Sequence, residues 1–436
     1  MSLQLLLGAA FAPLLVAYAV ACLRDPLRYA LPPYAVLIPF SSLLAVGPGP
    51  FGSVSSLLGL LLGVGLLAQL VTTRRGSTQL PIEVPVWLAF LALCGLSLFW
   101  SIAPSATVEG FAVLSSLVLL FVALVLTRFD VQTLRLFENS IVLGGALVVG
   151  YGLAQVLFLG GLPAFDGGAG RFGDDLLGAN NQAASLLLPA AIAAGRTLTG
   201  MGRWRVVYGA VTLAMLLGVL MTGSRGGLLA ILVVFMSIIL FSAARRIAKA
   251  ALVGAAVAVL AVIVVVNPGG LGERQVNKDT TSGRTEIWAV GLYACRHYCL
   301  TGAGWGGFPS VYAEERASVA EAKVLRRGTA YEPHNIFLLA LIETGVAGFL
   351  LVVVGLGLAI WTALRLPVSM RGPPMGAILG IIASSFFLSN LEFKFFWAVL
   401  TYVAVSGTVI ASVRAGRLRD APAERRRPLA AGQDGR

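Results

Sequence analysis

The chain has 436 residues, of which 58% are hydrophobic and 12% are charged, and its formal net charge is +12. A soluble domain of this size needs a more highly charged surface, so the composition excludes a water-soluble globular protein. Apolar runs of about 20 residues, long enough for helices to cross a bilayer, recur along nearly the whole chain. They lack the short alternating pattern of a transmembrane β-barrel. We therefore predict an all-α, polytopic membrane protein.

The apolar runs predict about 12 to 13 transmembrane helices on the basis of bilayer thickness. The first run lacks a basic flank and a small-residue cleavage site, so we interpret it as a span rather than a signal peptide. Prolines around the first two runs leave open whether either is interfacial, and on which side the N-terminus lies. In chain order, the predicted spans are 4–22, 30–47, 54–72, 84–100, 107–127, 138–159, 179–195, 206–222, 226–243, 248–266, 334–363, 374–390 and 394–412.

Basic residues concentrate in alternate connections between these spans, which follows the positive-inside rule rather than the pattern of a nucleic-acid-binding face. Outside this pattern lie Arg171, Arg225, Lys394 and the long polar loop. The bias predicts four segments with a defined sidedness. They are a transmembrane bundle over 1–266, a large extracytoplasmic loop over 267–333, C-terminal transmembrane helices over 334–412 and a disordered, basic cytoplasmic tail over 413–436.

The four cysteines are sparse and fall into two pairs. Cys22 and Cys94 lie in apolar runs and are predicted to be small core residues. Cys295 and Cys299 are four positions apart in the polar loop, where helix geometry would strain a disulfide, so two free thiols are favoured over a bond. A zinc site formed with His297 would have suitable ligand types but poor spacing and no fourth ligand.

The polar segment 281–349 holds both histidines of the chain and is where chemistry at the membrane surface is expected. Within it, Gly283 and Arg284 are predicted to open a loop helix that carries Trp288 on the same face as Arg284. A salt bridge from Arg284 to Glu286 is the simpler alternative. The planar fork of a guanidinium, however, is well suited to binding phosphate through two hydrogen bonds.

Arg225 lies in the run Thr222–Gly227, between two apolar segments on the predicted outward side. Serine and glycine residues such as those in this run are common in turns, so an arginine exposed in a turn is one interpretation. The turn is too short to lift the charge far from the bilayer, and charges at membrane depth are usually functional. The glycines that follow allow close approach of a ligand or backbone. We favour an anion clamp, which with Arg284 would form a pyrophosphate site.

His334 follows Pro333 at the start of the next apolar helix. A histidine there can be a simple cap or interface residue. Its place at the membrane surface, and the ability of imidazole to take up a proton near neutral pH, favour a general base. Within the same helix, Glu343 is expected to face protein rather than lipid, and Gly345 and Gly348 are expected to permit close helix packing.

Another outward connection carries Arg171 and the polar run Asn180–Gln182. Asp166, Asp174 and Asp175 accompany them, and carboxylates of this kind can hold a divalent ion. Because Asp174 and Asp175 are adjacent, their side chains point apart, so a solvated acidic loop is favoured over a metal site. Arg171 is a weaker candidate for substrate binding than the other two arginines.

Four short motifs surround the long loop: Thr222–Gly227; Ser282-Gly283-Arg284 with Trp288; Leu300–Gly304; and Pro333-His334-Asn335 followed by Glu343-Thr344-Gly345. Together they resemble the bacterial O-antigen ligase and O-antigen polymerase-like superfamily, over roughly residues 140–410. The resemblance implies a metal-independent glycosyltransferase of the GT-C type with about 12 helices. It implies transfer of a glycan from an undecaprenyl-pyrophosphate carrier to an acceptor hydroxyl on the outer face of the membrane. By motif position, Arg225 and Arg284 match the essential arginines and His334 the essential histidine.

We therefore expect His334, Arg225 and Arg284 to be catalytic, in an inverting transfer. The expected substrate-binding residues are Arg225, Arg284, Arg171, Asn181, Trp288 and Asn335. No metal or cofactor is expected. The expected partners are the lipid-linked donor, a lipid or glycan acceptor and the bilayer of the bacterial cytoplasmic membrane, without nucleic acid. Ligase and polymerase stay open as alternatives, and a lipid-linked glycan transporter or flippase is the rival class.

Overall fold

A computed structural model describes residues 3–40, 52–73, 80–162, 170–173, 177–250, 283–320 and 331–419, together with positions 253, 254, 257 and 261. This part of the chain is almost entirely helical and holds no strand, which confirms the predicted all-α class. The helices are α1 (Leu3–Arg24), α2 (Pro26–Tyr29), α3 (Leu31–Leu37), α4 (Val54–Thr73), α5 (Glu83–Leu96), α6 (Pro104–Leu126), α7 (Val131–Phe158), α8 (Ala179–Ser185), α9 (Leu187–Thr199), α10 (Gly202–Met221), α11 (Arg225–Phe241), α12 (Arg284–Tyr298), α13 (Phe308–Glu315), α14 (Ile336–Arg365), α15 (Val368–Ser385) and α16 (Lys394–Arg419).

Six helices in the described ranges are long and apolar enough to cross a membrane, namely α4, α6, α7, α10, α14 and α16. Shorter apolar stretches lie in α1, α5 and α11. These helices confirm a multi-pass membrane protein. The larger number of spans, the sidedness and the four segments inferred from the sequence stay predictions.

Aromatic side chains fill the space where α5, α14 and α16 meet. The ring of Trp87 on α5 lies against that of Trp397 on α16, with 5.1 Å between centroids. Because Gly355 has no side chain, α14 can lie directly against the Trp87 indole. Trp305, from the loop that follows α12, joins this cluster through Phe90 at 5.7 Å. The extramembrane loop is therefore anchored on the core of the bundle.

Two predicted spans are wrong as single helices. The segment 30–47 begins with α3, which ends in a 3-10 turn containing Pro39, and residues 41–51 lie outside the described residues. Proline lacks the N–H that would continue the helical ladder. The segment 179–195 is divided into α8 and α9 at Leu186. Pro189 explains the break, because its ring would clash with the carbonyl of Ser185 in a continuous helix.

Candidate functional site

His334 stands in a strained turn immediately before α14. Its φ is +46°, a left-handed conformation that is uncommon outside glycine and costs on the order of 1–3 kcal/mol. Contacts on both sides hold this turn in place. The indole N–H of Trp288 donates to the carbonyl of Pro333 at 2.7 Å, and the Asn335 side-chain oxygen accepts from the backbone N–H groups of Phe337 and Leu338 at 2.9 and 3.0 Å. The histidine is therefore presented by a fixed backbone.

Trp288 and Asn335 thus support the histidine turn in the structure. Both were predicted to bind substrate. Asn335 is the N-cap of α14, so its carboxamide oxygen is already engaged by the helix. The Trp288 indole N–H is likewise engaged by Pro333. Direct contact of either residue with substrate stays a prediction.

Arg284 is the first residue of α12, as the sequence predicted, and follows Gly283 at φ +73°. Its guanidinium lies over the ring of Phe387, 5.8 Å from the centroid. Burial lowers the pKa of Arg284. The described ion pairs do not include Arg284, so the alternative salt bridge to Glu286 is not formed. A half-buried guanidinium without a carboxylate partner is a strong attractor for an anion.

Arg284 and His334 interact electrostatically. Burial lowers the pKa of His334, and the positive charge of Arg284 lowers it further. The imidazole is therefore neutral at neutral pH, which is the form that can accept a proton. The structure brings these two predicted residues together, although one begins α12 and the other lies in the turn before α14.

Arg225 precedes a glycine that packs on Phe387, the same side chain that Arg284 lies over. It is the exposed first residue of α11, whose N-cap Ser224 accepts the backbone N–H of Gly227 at 3.0 Å. The next residue, Gly226, packs so closely on Phe387 that an added Cβ would lie 3.0 Å from the Cβ of that phenylalanine. Arg284 and the residue that follows Arg225 therefore both contact one aromatic side chain.

Arg171 tethers its own loop to the Arg225 turn. Its Nε donates to the carbonyl of Thr222 at 2.9 Å, and its Nη2 donates to the side-chain oxygen of Asn180 at 3.3 Å. The backbone N–H of Phe172 donates to the carbonyl of Met221 at 3.1 Å. These contacts show Arg171 in a positioning arrangement, and its predicted binding of substrate stays a prediction.

Asn181 lies beside this tether on α8. Its Nδ2 donates to the carbonyl of Leu177 at 3.1 Å, whereas its Oδ1 is buried and has no hydrogen-bond partner in the described chain. Asp166, Asp174 and Asp175 lie outside the described residues. Among the residues that the structure describes, no three His, Cys, Asp or Glu side chains form a group able to hold a metal.

The Leu300–Gly304 motif inserts into a break in α14. Gly345 adopts φ +69° and interrupts the helix, and the backbone N–H groups of Ala303 and Gly304 donate to the carbonyls of Ile342 and Glu343 at 2.8 and 2.9 Å. Gly345 and Gly348 were predicted to permit close helix packing; Gly348 lies near Leu93 of α5, whereas Gly345 breaks the helix and lies against the loop backbone at Leu300. Its freedom to adopt positive φ lets the loop replace part of the helical ladder.

The Glu343 side chain completes this insertion. It is 2% exposed, and its two oxygens accept the backbone N–H groups of Gly306 and Phe308 at 2.9 and 3.0 Å. The prediction that Glu343 faces protein is confirmed. Because α14 begins directly after His334, the loop and the histidine are fixed to the same helix.

Comparison with known proteins identifies the segment that contains these motifs. Residues 210–353 match the family model described as O-antigen ligase. Over these residues the chain is similar to O-antigen ligases. The chain is also 28% identical over 326 residues to the exopolysaccharide production protein ExoQ of Rhizobium meliloti (strain 1021), covering 70% of this chain and 72% of the relative. The resemblance predicted from the motifs is confirmed.

The matched O-antigen ligase-like segment contains Arg225, Arg284 and His334. Arg171 and Asn181 precede it. Chemically, two guanidinium groups can stabilise negative charge on a phosphate group, and a neutral imidazole can take a proton from a hydroxyl. These are the functions that a transfer from a phosphorylated carrier requires.

The cysteines of the O-antigen ligase-like segment depart from the sequence-based interpretation. Cys295 and Cys299 are joined by a disulfide with 4.5 Å between their Cα atoms, so the preference for two free thiols is wrong. Both lie at the C-terminal end of α12, and Cys299 is the C-cap residue of that helix. Cys22 and Cys94 are buried and free, as expected for small core residues.

Three further residues of this O-antigen ligase-like chain were missed as candidates. Phe387 gave no sequence signal, because one more phenylalanine in an apolar chain is unremarkable. Glu392 lies near Trp305, and burial, with a smaller contribution from the charge of Glu332, raises its pKa to about 7. Lys394 departed from the positive-inside pattern, and that departure was a usable signal.

Proposed function

We propose that the chain is a membrane glycosyltransferase that moves a glycan from an undecaprenyl-pyrophosphate carrier to an acceptor hydroxyl. The arrangement of Arg225 and Arg284 about Phe387, with Arg284 acting on His334, is the single observation that supports it most. Each of the three side chains supplies one function that this reaction needs. The match to the O-antigen ligase family over residues 210–353 agrees with this class of activity.

In the proposed reaction the acceptor oxygen attacks the anomeric carbon of the donor sugar. The bond between that carbon and the pyrophosphate oxygen breaks, and its electron pair leaves with the lipid pyrophosphate. Arg225 and Arg284 stabilise the charge that develops on this leaving group. The neutral imidazole of His334 takes the proton of the acceptor hydroxyl. Attack opposite the leaving group inverts the anomeric centre, and no metal or cofactor takes part.

We place this reaction on the extracytoplasmic face of the bacterial cytoplasmic membrane. The distribution of Lys and Arg supports that side for the loop 267–333, because basic connections remain in the cytoplasm. The strained His334 turn and the N-terminus of α12 then lie at the extracytoplasmic surface of the cytoplasmic membrane. A donor whose carrier lies in the bilayer would present its pyrophosphate at that level.

A polymerase of the same superfamily is the second candidate function. The observation that favours it is the similarity to a relative described as an exopolysaccharide production protein. In a polymerase the acceptor hydroxyl would belong to a growing polysaccharide rather than to a lipid core. The residues that stabilise the leaving group and take the proton would be the same in both reactions.

Transfer by the purified full-length protein tests the proposal. The protein in sealed proteoliposomes would be given an undecaprenyl-pyrophosphate-linked glycan and, separately, a lipid-core acceptor or a second lipid-linked glycan. We expect a joined product with one of the two acceptors, and with inverted anomeric configuration by NMR. Movement of the intact donor across the bilayer without any joined product would instead support a flippase and overturn the proposal.

A further inference from the structure

A cavity of about 590 Å³ lies between α4 and α6 and is separate from the three residues proposed for catalysis. Leu60 and Val64 of α4 and Leu119 of α6 line it and are 46, 47 and 53% exposed, so the cavity is a groove open along its side. In a membrane, that open side faces lipid. From Ser56 to Leu67 the α4 wall advances about 16 Å at 1.5 Å per residue, roughly half of the hydrocarbon thickness.

Glycines on α4 make room for this groove. Gly59 and Gly63 are one turn apart and both line it. A Cβ built at Gly63 would lie 3.8 Å from the Leu120 side chain, which is ordinary contact, so the position tolerates a small side chain. A large side chain at Gly63 would project into the open volume.

The ammonium group of Lys394 lies at one end of the groove, near the extramembrane loops. The Lys394 Nζ donates to the hydroxyls of Ser53, Ser55 and Ser56 at 3.2, 2.7 and 2.9 Å. Hydroxyls solvate an ammonium group but do not neutralise it, and the described salt bridges do not include Lys394. Glu392 also lines the groove, but its carboxylate is near Trp305 and Gly110. An anion in the groove would supply the missing countercharge.

A series of contacts links the groove to the candidate active site. Leu177 lines its wall, and the carbonyl of Leu177 accepts the side chain of Asn181 at 3.1 Å. The neighbouring Asn180 is bound by Arg171, which is in turn bound to the Thr222 carbonyl in the Arg225 turn. A continuous chain of contacts therefore connects the head of the groove to the arginine clamp.

We infer that this groove binds a polyprenyl phosphate lipid, with its isoprenoid chain along α4 and α6 and a phosphate at Lys394 and the three serines. The inference rests on the proposed function, because the lipid is the carrier of that reaction. Lys394 would hold the carrier phosphate next to the isoprenoid chain, and Arg225 and Arg284 would hold the phosphate that is joined to the sugar. Charge complementarity at the head and the apolar, laterally open walls together support this occupant. The position of Leu177 would hold the glycan end of the lipid toward the catalytic residues.

Binding to the full-length purified protein tests this inference without turnover. Native mass spectrometry would compare undecaprenyl phosphate, geranyl phosphate, phosphatidylglycerol and inorganic phosphate as probes. We expect undecaprenyl phosphate to bind at least about tenfold more tightly than the other three. Gly63→Leu should remove that advantage by filling the groove. Gly150→Leu is the matched control, because Gly150 is exposed on α7 with no neighbouring atom within 4 Å of an added Cβ.

Lys394→Gln should weaken undecaprenyl phosphate binding by roughly tenfold, and Lys394→Arg should retain most of it, because arginine keeps the charge. If Lys394→Gln does not fold, the pair Gly63→Leu and Gly150→Leu decides the matter. Equal binding of phosphatidylglycerol, equal binding of inorganic phosphate, or equal effects of the two leucine substitutions would each overturn the inference. If the protein binds undecaprenyl phosphate tightly and in a Gly63-dependent way but transfers no glycan, the lipid-binding inference stands and the proposed function is refuted.

Discussion

Removing the Glu343 carboxylate should detach the inserted loop from α14. In Glu343→Ala the buried N–H groups of Gly306 and Phe308 lose their acceptors, which lie at 2.9 and 3.0 Å. A buried, unsatisfied N–H costs about 1–3 kcal/mol, so the two together cost about 2–6 kcal/mol. In Glu343→Gln one acceptor oxygen remains and the amide nitrogen faces the other N–H, so about half of that cost is expected.

Hydrogen exchange measured by mass spectrometry would report this loss locally. A loss of about 2 kcal/mol in local stability corresponds to roughly 30-fold faster exchange at the amides of Gly306 and Phe308. Glu83→Gln is the matched control, because Glu83 is also buried, at 3% exposure, but its carboxylate accepts from Thr362. Unchanged exchange at both amides in Glu343→Ala, or equal acceleration in Glu83→Gln, would refute the reasoning.

Four other results are expected of the proposed reaction. His334→Gln should leave donor binding nearly intact and slow transfer by roughly 100-fold or more, measured by single-turnover kinetics; normal transfer would remove His334 from the role of base. Arg284→Lys and Arg225→Lys should each weaken donor binding and recover part of the loss seen in the alanine variants, because lysine keeps the charge and loses the fork. Transfer should survive excess EDTA, and activity that EDTA abolishes and magnesium restores would contradict a metal-independent mechanism. The pH profile gives a further check. Burial and Arg284 both lower the pKa of His334, and a base must be unprotonated, so kcat/KM should fall only as the pH drops below about 6.5. Arg284→Gln should move this acidic limb to higher pH, and a limb that stays in place would show that another group titrates.

Short sequence patterns predicted where the two helices of the site begin. Gly283 before Arg284 indicated the start of α12, and the structure has that helix from Arg284. Pro333 indicated the start of α14, since proline interrupts a helix. In the same way, the apolar runs indicated a multi-pass bundle, because bilayer thickness sets the length of a span.

The rest of the site depends on contacts between distant parts of the chain. A glutamate and a glycine in an apolar helix gave no sign that a loop would occupy a break at Gly345. That break exists because backbone N–H groups from the loop replace helical partners. Phe387 was likewise invisible, because its importance comes from lying between Gly226 and Arg284. The Cys295–Cys299 bond was misjudged, because spacing along a helix does not show which thiols are joined at its end.

The insertion of the loop into α14 has a consequence for the order in which the protein is made. The backbone N–H groups of Ala303 and Gly304 emerge from the ribosome before the carbonyls of Ile342 and Glu343 that they bind. Until α14 has been synthesised, the loop has no partners and its polar backbone must remain hydrated. We therefore expect the loop to fold only when α14 enters the bilayer. Release of that helix by the translocation machinery would then be the event that assembles the outward surface of the protein.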